Sequence, residues 1–96
     1  MTHMRAIYLR HGSWRILDAK TQSNGKIEVM EAPVDGRLSA DAKQNPWSCK
    51  GVDWRHGETI SMLPPTHESV IRDEFTDLVQ MRATDTANIV IKYEEE

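Results

Sequence analysis

Glu58-Thr-Ile-Ser-Met-Leu-Pro-Pro-Thr-His-Glu-Ser-Val-Ile-Arg-Asp-Glu-Phe75 is the stretch on which the fold turns. In its second half the hydrophobic pattern takes a period of 3.6 residues. Ile71, Phe75, Leu78, Val79 and Arg82 fall on one stripe, while Glu68, Asp73 and Asp77 fall largely on the other face. This spacing predicts one amphipathic helix over residues 66–83, with Thr66 as N-cap and Glu68 complementing the helix dipole. Ahead of it, Pro64-Pro65 keeps the preceding residues out of the helical region. The doubled proline therefore reads as a stiff join between the helix and everything before it.

Before the join the period is two. Met4 to Arg10 alternates, with Ile7 and Leu9 on one side and Ala6 and Tyr8 on the other, which predicts a strand. His11-Gly12-Ser13 is a turn candidate. Trp14-Arg-Ile-Leu forms a second strand with Trp14 and Ile16 on one face, and Lys26 to Glu31 alternates as a third. Asn24-Gly25 is the strongest short hairpin signal in the chain. A two-residue turn there would set Asp18 opposite Glu31, and like charges facing each other are unfavourable. A longer loop over about residues 20–26 is therefore expected.

Residues 4–32 thus form a three-stranded meander, which Pro33 ends because it cannot donate to a ladder. Residues 33–65 read as an irregular loop holding Trp47, Cys49 and Trp54, with a turn at Asp35-Gly36 and a short helical turn capped by Ser39. Two tryptophans in such a loop must bury their rings or present them to something else. Residues 87–93 read as a last strand and 94–96 as an acidic tail. The expected fold class is α+β, a small antiparallel sheet packed against one helix in a single domain over 1–96.

The 96 residues carry a net charge of −3 that is unevenly spread. Residues 1–57 hold nine Lys/Arg against six Asp/Glu, and residues 58–96 hold three against nine. Two faces of opposite potential are expected, suited to docking on a charged partner. No run of about 18 apolar residues exists to span a bilayer. The N-terminus lacks the apolar core of a signal peptide. The single Cys49 excludes an internal disulfide framework, so a cytoplasmic location is expected.

Arg10-His11-Gly12 follows a strand, and Arg55-His56-Gly57 repeats the triplet. Both resemble the Arg-His-Gly signature of histidine phosphatases and phosphoglycerate mutases. The resemblance implies His11 as nucleophile and Arg10 as phosphate clamp. That fold needs a parallel sheet with crossover helices, and here a strand follows Gly12 where the family has a helix. No catalytic residue and no cofactor are therefore expected. His3, His11, His56, His67 and Cys49 lack the paired spacing of zinc ligands. Direct nucleic-acid contact is the alternative: Arg5, Arg10, Arg15, Lys50 and Arg55 with Trp14, Trp47 and Trp54 combine phosphate contacts with base stacking, although a pI near 5.8 is low for a binder.

Met62-Leu63-Pro64-Pro65 is a pre-organised, peptide-like epitope, inexpensive in entropy to dock. Its X–Pro bonds also populate cis, so a prolyl isomerase acting at Pro64 or Pro65 is an expected partner. The candidate partner-binding residues are Trp47, Trp54, Arg55, Met62, Leu63, Pro64, Pro65, Asp73 and Asp77, with tryptophan and arginine as the usual anchors. In chain size, in the opening Met4-Arg-Ala-Ile-Tyr-Leu-Arg-His-Gly-Ser-Trp-Arg and in Pro64-Pro65, the chain resembles small bacteriophage accessory proteins of the P22-type anti-RecBCD kind. That resemblance implies a large host partner, the RecBCD helicase–nuclease, and assigns no residue a role.

Overall fold

The computed structural model describes residues 1–34 and 37–94, so the Asp35-Gly36 turn and Glu95-Glu96 of the acidic tail lie outside the described residues. Five strands, β1 (His3–Arg10), β2 (Ser13–Thr21), β3 (Ile27–Pro33), β4 (Glu58–Leu63) and β5 (Asp85–Tyr93), form one sheet in the order β4-β3-β2-β1-β5, every neighbouring pair antiparallel. A short helix α1 (Ala40–Gln44) lies in the long connection, and α2 (Glu68–Arg82) joins β4 to β5. The α+β class and the single helix on an antiparallel sheet are as the sequence predicts. A fifth strand is added.

That strand, β4, corrects the reading of 33–65 as irregular. Strict alternation is absent from it for a reason visible in the register. Val29 pairs Ser61 but Met30 pairs Thr59, so Ile60 is an extra residue in a bulge. The bulge lets both Ile60 and Leu63 reach the same hydrophobic cluster although they sit three positions apart. Strand β5 starts two residues earlier than predicted and carries a similar shift opposite the end of β1.

The tight hairpin is at His11-Gly12, not at Asn24-Gly25. His11 (φ 50°) and Gly12 (φ 79°) both have positive φ, as a two-residue type I′ turn requires. The β2–β3 connection is the longer loop expected, closing on Thr21↔Ile27 and placing Asp18 opposite Met30 rather than Glu31.

One face of the sheet packs under α2. Met4, Ala6, Tyr8, Leu17, Ala19, Ile27, Val29 and Leu63 meet Ile71, Phe75 and Val79 there. The predicted stripe is therefore the buried one, with Leu78 partly covered. The N-cap is His67, one residue past Thr66, and no side chain caps this end. The other face is covered at one end by the long connection. Leu38, Ala42 and Cys49 sit on Ile7, Ile16 and Ala32. The connection is fastened by the Val34↔Val52 bridge and by the Asp53 amide donating to the Pro33 carbonyl at 3.0 Å. Ser39 caps α1 as read, its hydroxyl accepting from the Ala42 amide at 3.1 Å. Leu63-Pro64 and Pro64-Pro65 are both trans, and the two prolines are exposed between β4 and α2 as a spacer.

Phe75 is fully buried at the centre of the helix face. Phe75→Ala should cost about 3–5 kcal/mol of unfolding free energy in a urea titration. At the tight turn, asparagine tolerates the left-handed region that histidine occupies at some cost. His11→Asn should raise stability by roughly 0.5 kcal/mol, read as a higher denaturant midpoint.

Candidate functional site

The described residues carry two polar constellations, one on each face of the sheet. On the helix side, alternation along β3 turns Ile27, Val29 and Glu31 inward together. Glu31 is 1% exposed, a carboxylate within the core. Arg82, at the end of the apolar stripe of α2, forms a two-pronged pair with it: one nitrogen donates at 2.8 Å and Nε donates to the other oxygen. Arg15 Nε donates at 3.0 Å, and the Tyr8 hydroxyl donates as well. Burial alone would raise the Glu31 carboxyl. The bonds from Arg82 and Tyr8, with the charges of Arg82 and Arg15, more than offset this and hold it below the usual carboxylate range. Burial, then the bond to Glu31, drives the Tyr8 phenol far upward, so it remains a donor. Each carboxylate oxygen takes two donors, Arg82 and Arg15 on one and Arg82 and Tyr8 on the other, so this is a structural lock.

Arg10 is part of the same end, donating to the Arg82 carbonyl at 2.6 Å, while His11 sits exposed on the turn. Arg-His-Gly is therefore a hairpin between antiparallel strands. The parallel strand–helix setting of the phosphatase signature is absent, and Arg10 is engaged with backbone. The second triplet is a 3-10 turn (Trp54–His56) ending at Gly57. A side chain at Gly57 would meet the Trp54 carbonyl at 3.1 Å and the Glu31 carbonyl at 3.4 Å, so its glycine serves close packing. Among the described residues no three of His, Cys, Asp and Glu converge as metal ligands would. Burial pushes the Cys49 thiol up.

The opposite face carries the tryptophans. Asn45 caps a 3-10 turn (Pro46–Ser48), its side chain accepting from the Trp47 amide at 3.1 Å, and this sets the Trp47 ring over β1. The Arg5 guanidinium lies 4.8 Å from the centroid of Trp47 and 5.5 Å from that of Trp54, so one cation bridges two indoles. Asp18 orients Arg5 at 2.9 Å and His3 at 2.7 Å. His3 meets the edge of Trp47 and reaches Glu94 at 2.9 Å. Asp53 is held below the usual carboxylate range by His56 at 2.6 Å, assisted by Arg55. Beside this cluster is an open cavity of about 660 Å³ lined by Leu38, Ala42, Trp47 and Cys49, with Arg37 and Lys50 among the wall residues.

The predicted site residues do not form one patch. Trp47 is partly buried, with its Nε1 enclosed and without a hydrogen-bond partner among the described residues. Trp54 is 38% exposed, and Arg55 projects into solvent. Met62 is 45% exposed, but Leu63 is only 6% exposed and belongs to the core, so it is removed from any docking epitope. Asp73 and Asp77 are exposed on α2, behind the sheet from the tryptophans. The sequence points to Arg15 only as a phosphate contact, to His3 only as a zinc-ligand candidate, and to Glu31 and Asp18 only through the turn register. A charged Arg82 within an apolar stripe was the signal that a buried acid would be found.

The chain matches no protein-family model, no curated protein and no solved structure. No helix among the described residues is long and apolar enough to cross a membrane.

Arg82→Met should destabilise the protein by about 3 kcal/mol, because it leaves Glu31 buried without its main partner. The sign with pH follows from the depressed carboxyl. Its stabilisation is complete above the unfolded value of about 4.3 and is lost as pH falls through the lower folded value. Acid titrations of unfolding free energy should show a shallower fall below about pH 4 in Arg82→Met than in the parent.

Proposed function

We propose that this is a non-enzymatic interaction protein, phage-encoded, that docks on and modulates a host DNA-processing enzyme such as the RecBCD helicase–nuclease. The observation that carries the reading is the outward face of α2. Val70, Asp73, Glu74, Asp77 and Met81 are exposed there. Val70, Glu74, Asp77 and Met81 follow the spacing of one helical stripe. Among the described residues, none pairs with Asp73, Glu74 or Asp77. The stripe thus has an acidic middle and an apolar residue at each end, about 16 Å apart along the axis.

A partner fitted to it has a basic strip flanked by apolar recesses. Basic strips line the channels through which enzymes handle nucleic acid. Acidic residues steer the encounter, and the apolar ends supply burial once the faces meet.

The experiment is affinity capture with the tagged protein expressed in bacteria, followed by nuclease and helicase assays of purified RecBCD with the protein added. Capture of a large DNA-processing enzyme and altered RecBCD activity are expected. Asp73→Lys with Asp77→Lys should abolish both while the melting temperature stays within a few degrees. Unchanged RecBCD activity at saturating protein would refute that partner.

A further inference from the structure

We infer that the tryptophan side of the sheet is a second, independent binding surface, and that it takes single-stranded nucleic acid. Cross-strand partners share a face, so the register lays out this surface in rows. One row reads Lys92, Arg5, Asp18, Met30, Thr59 across five strands, and the next reads His3, Lys20, Glu28, Met62 across four. The long connection covers the face around Ile7, Ile16 and Ala32, and its Trp47 and Trp54 rings reach Arg5, while Lys92, Lys20 and Thr59 of these rows stay exposed. Trp54 stands at the border, more than a third exposed, with the Arg5 guanidinium against its ring.

The charge on this side is more positive than the composition suggests. Carboxylates on this side are engaged locally: Asp18 by Arg5 and His3, Asp53 by His56 and Arg55, Glu28 by the Thr59 hydroxyl at 2.7 Å, and Glu94 by His3 at 2.9 Å. Lys20, Lys50 and Lys92 are exposed, and Arg55 is 87% exposed with only a long 3.4 Å contact to Asp53. The acidic residues of α2 lie on the other side. The molecule measures at least 24 Å in every direction, about three Debye lengths at ~8 Å, so the acidic face does not cancel the basic one.

An exposed indole backed by a cation, on a sheet surface edged with lysines, matches what unpaired bases and their phosphates require. The ring stacks on a base, and the cations follow the backbone. Single strands are favoured over duplex because the side carries only the five-residue α1 and two three-residue turns. None of these is a helix long enough to read a major groove. Arg10, Arg15 and Trp14 drop out of the set the sequence suggested. The two arginines serve the buried lock, and Trp14 packs within the covered end, with Lys43 Nζ 5.9 Å from its ring centroid.

The test is fluorescence anisotropy of a labelled oligothymidine of about eight nucleotides, within the span single domains cover, with the purified full chain at low salt. Binding is expected, falling roughly 20-fold between ~50 and ~200 mM salt for about three phosphate contacts. Trp54→Ala should weaken it about tenfold or more, and Trp54→Phe should retain most of it. Arg55→Glu with Lys50→Glu, at exposed positions that do not threaten the fold, should abolish it. No binding at low salt would overturn the inference, as would equal affinity for a duplex of the same length or Trp54→Ala binding like the parent. Loss of protein capture in Trp54→Ala without any oligonucleotide binding would overturn it too, and would make the surface a protein-docking one.

Discussion

Helix α2 has to cross the whole sheet. Strands β4 and β5 occupy opposite edges and run in the same direction, with β3, β2 and β1 between them. Four strand spacings amount to about 19 Å, and a helix of 15 residues extends about 22 Å. The helix is therefore long enough to carry the chain from one edge to the other while covering the sheet face between them. Everything buried on that face follows from the crossing. The stripe of Ile71, Phe75 and Val79 meets side chains from β1, β2, β3 and β4 in turn.

The crossing is locked at its far end by charge rather than by apolar contact. A lone carboxylate in a core costs several kcal/mol. Glu31 is tolerated because Arg82, Arg15 and Tyr8 converge on it from α2, β2 and β1. The three donors come from three elements, so the network is complete only when the helix has reached its final position on the sheet. A buried ion pair of this kind adds little net stability over an apolar substitute, but breaking it by removing one partner is costly. Arg10, bonded to the last turn of α2, ties the β1–β2 hairpin to the same lock.

This division leaves the molecule with two unlike exteriors. The face of α2 that looks away from the sheet is acidic with apolar ends. The far side of the sheet is basic and aromatic where the long connection stops covering it. A chain with net charge −3 can thus present both signs, because the sheet and helix stand between them. The doubled proline lies at the seam, after β4 and before α2, as an exposed trans spacer. Its value to the fold is geometric: it stops the edge strand and launches the helix across the sheet.

Much of the fold was legible in the residues themselves. The period-two runs of β1 to β3 and the period-3.6 stripe of α2 are local signals, repeated often enough to survive noise. Ser39 likewise announced its own helix. Strand β4 was not legible, because the bulge at Ile60 shifts its phase and removes the alternation that would have revealed it. The turn at His11-Gly12-Ser13 was legible, but not the positive φ of His11, since histidine is a poor sequence signal for that region. Of the candidate site, the exposure of Asp73 and Asp77 could be anticipated from the helix face, but neither the exposure of Trp54 nor the burial of Leu63 could.

By itself, then, the sequence determined the class of fold, the helix and its inward stripe, and the unequal division of charge, since each depends on spacing along the chain. Only the tertiary structure decided which charged groups are spent on the lock and which remain for partners. Glu31, Asp18 and Arg5 meet residues 13 to 51 positions away or rings from the distant loop. No local pattern encodes those meetings. They arise where strand register and the helix crossing bring the side chains within hydrogen-bond reach.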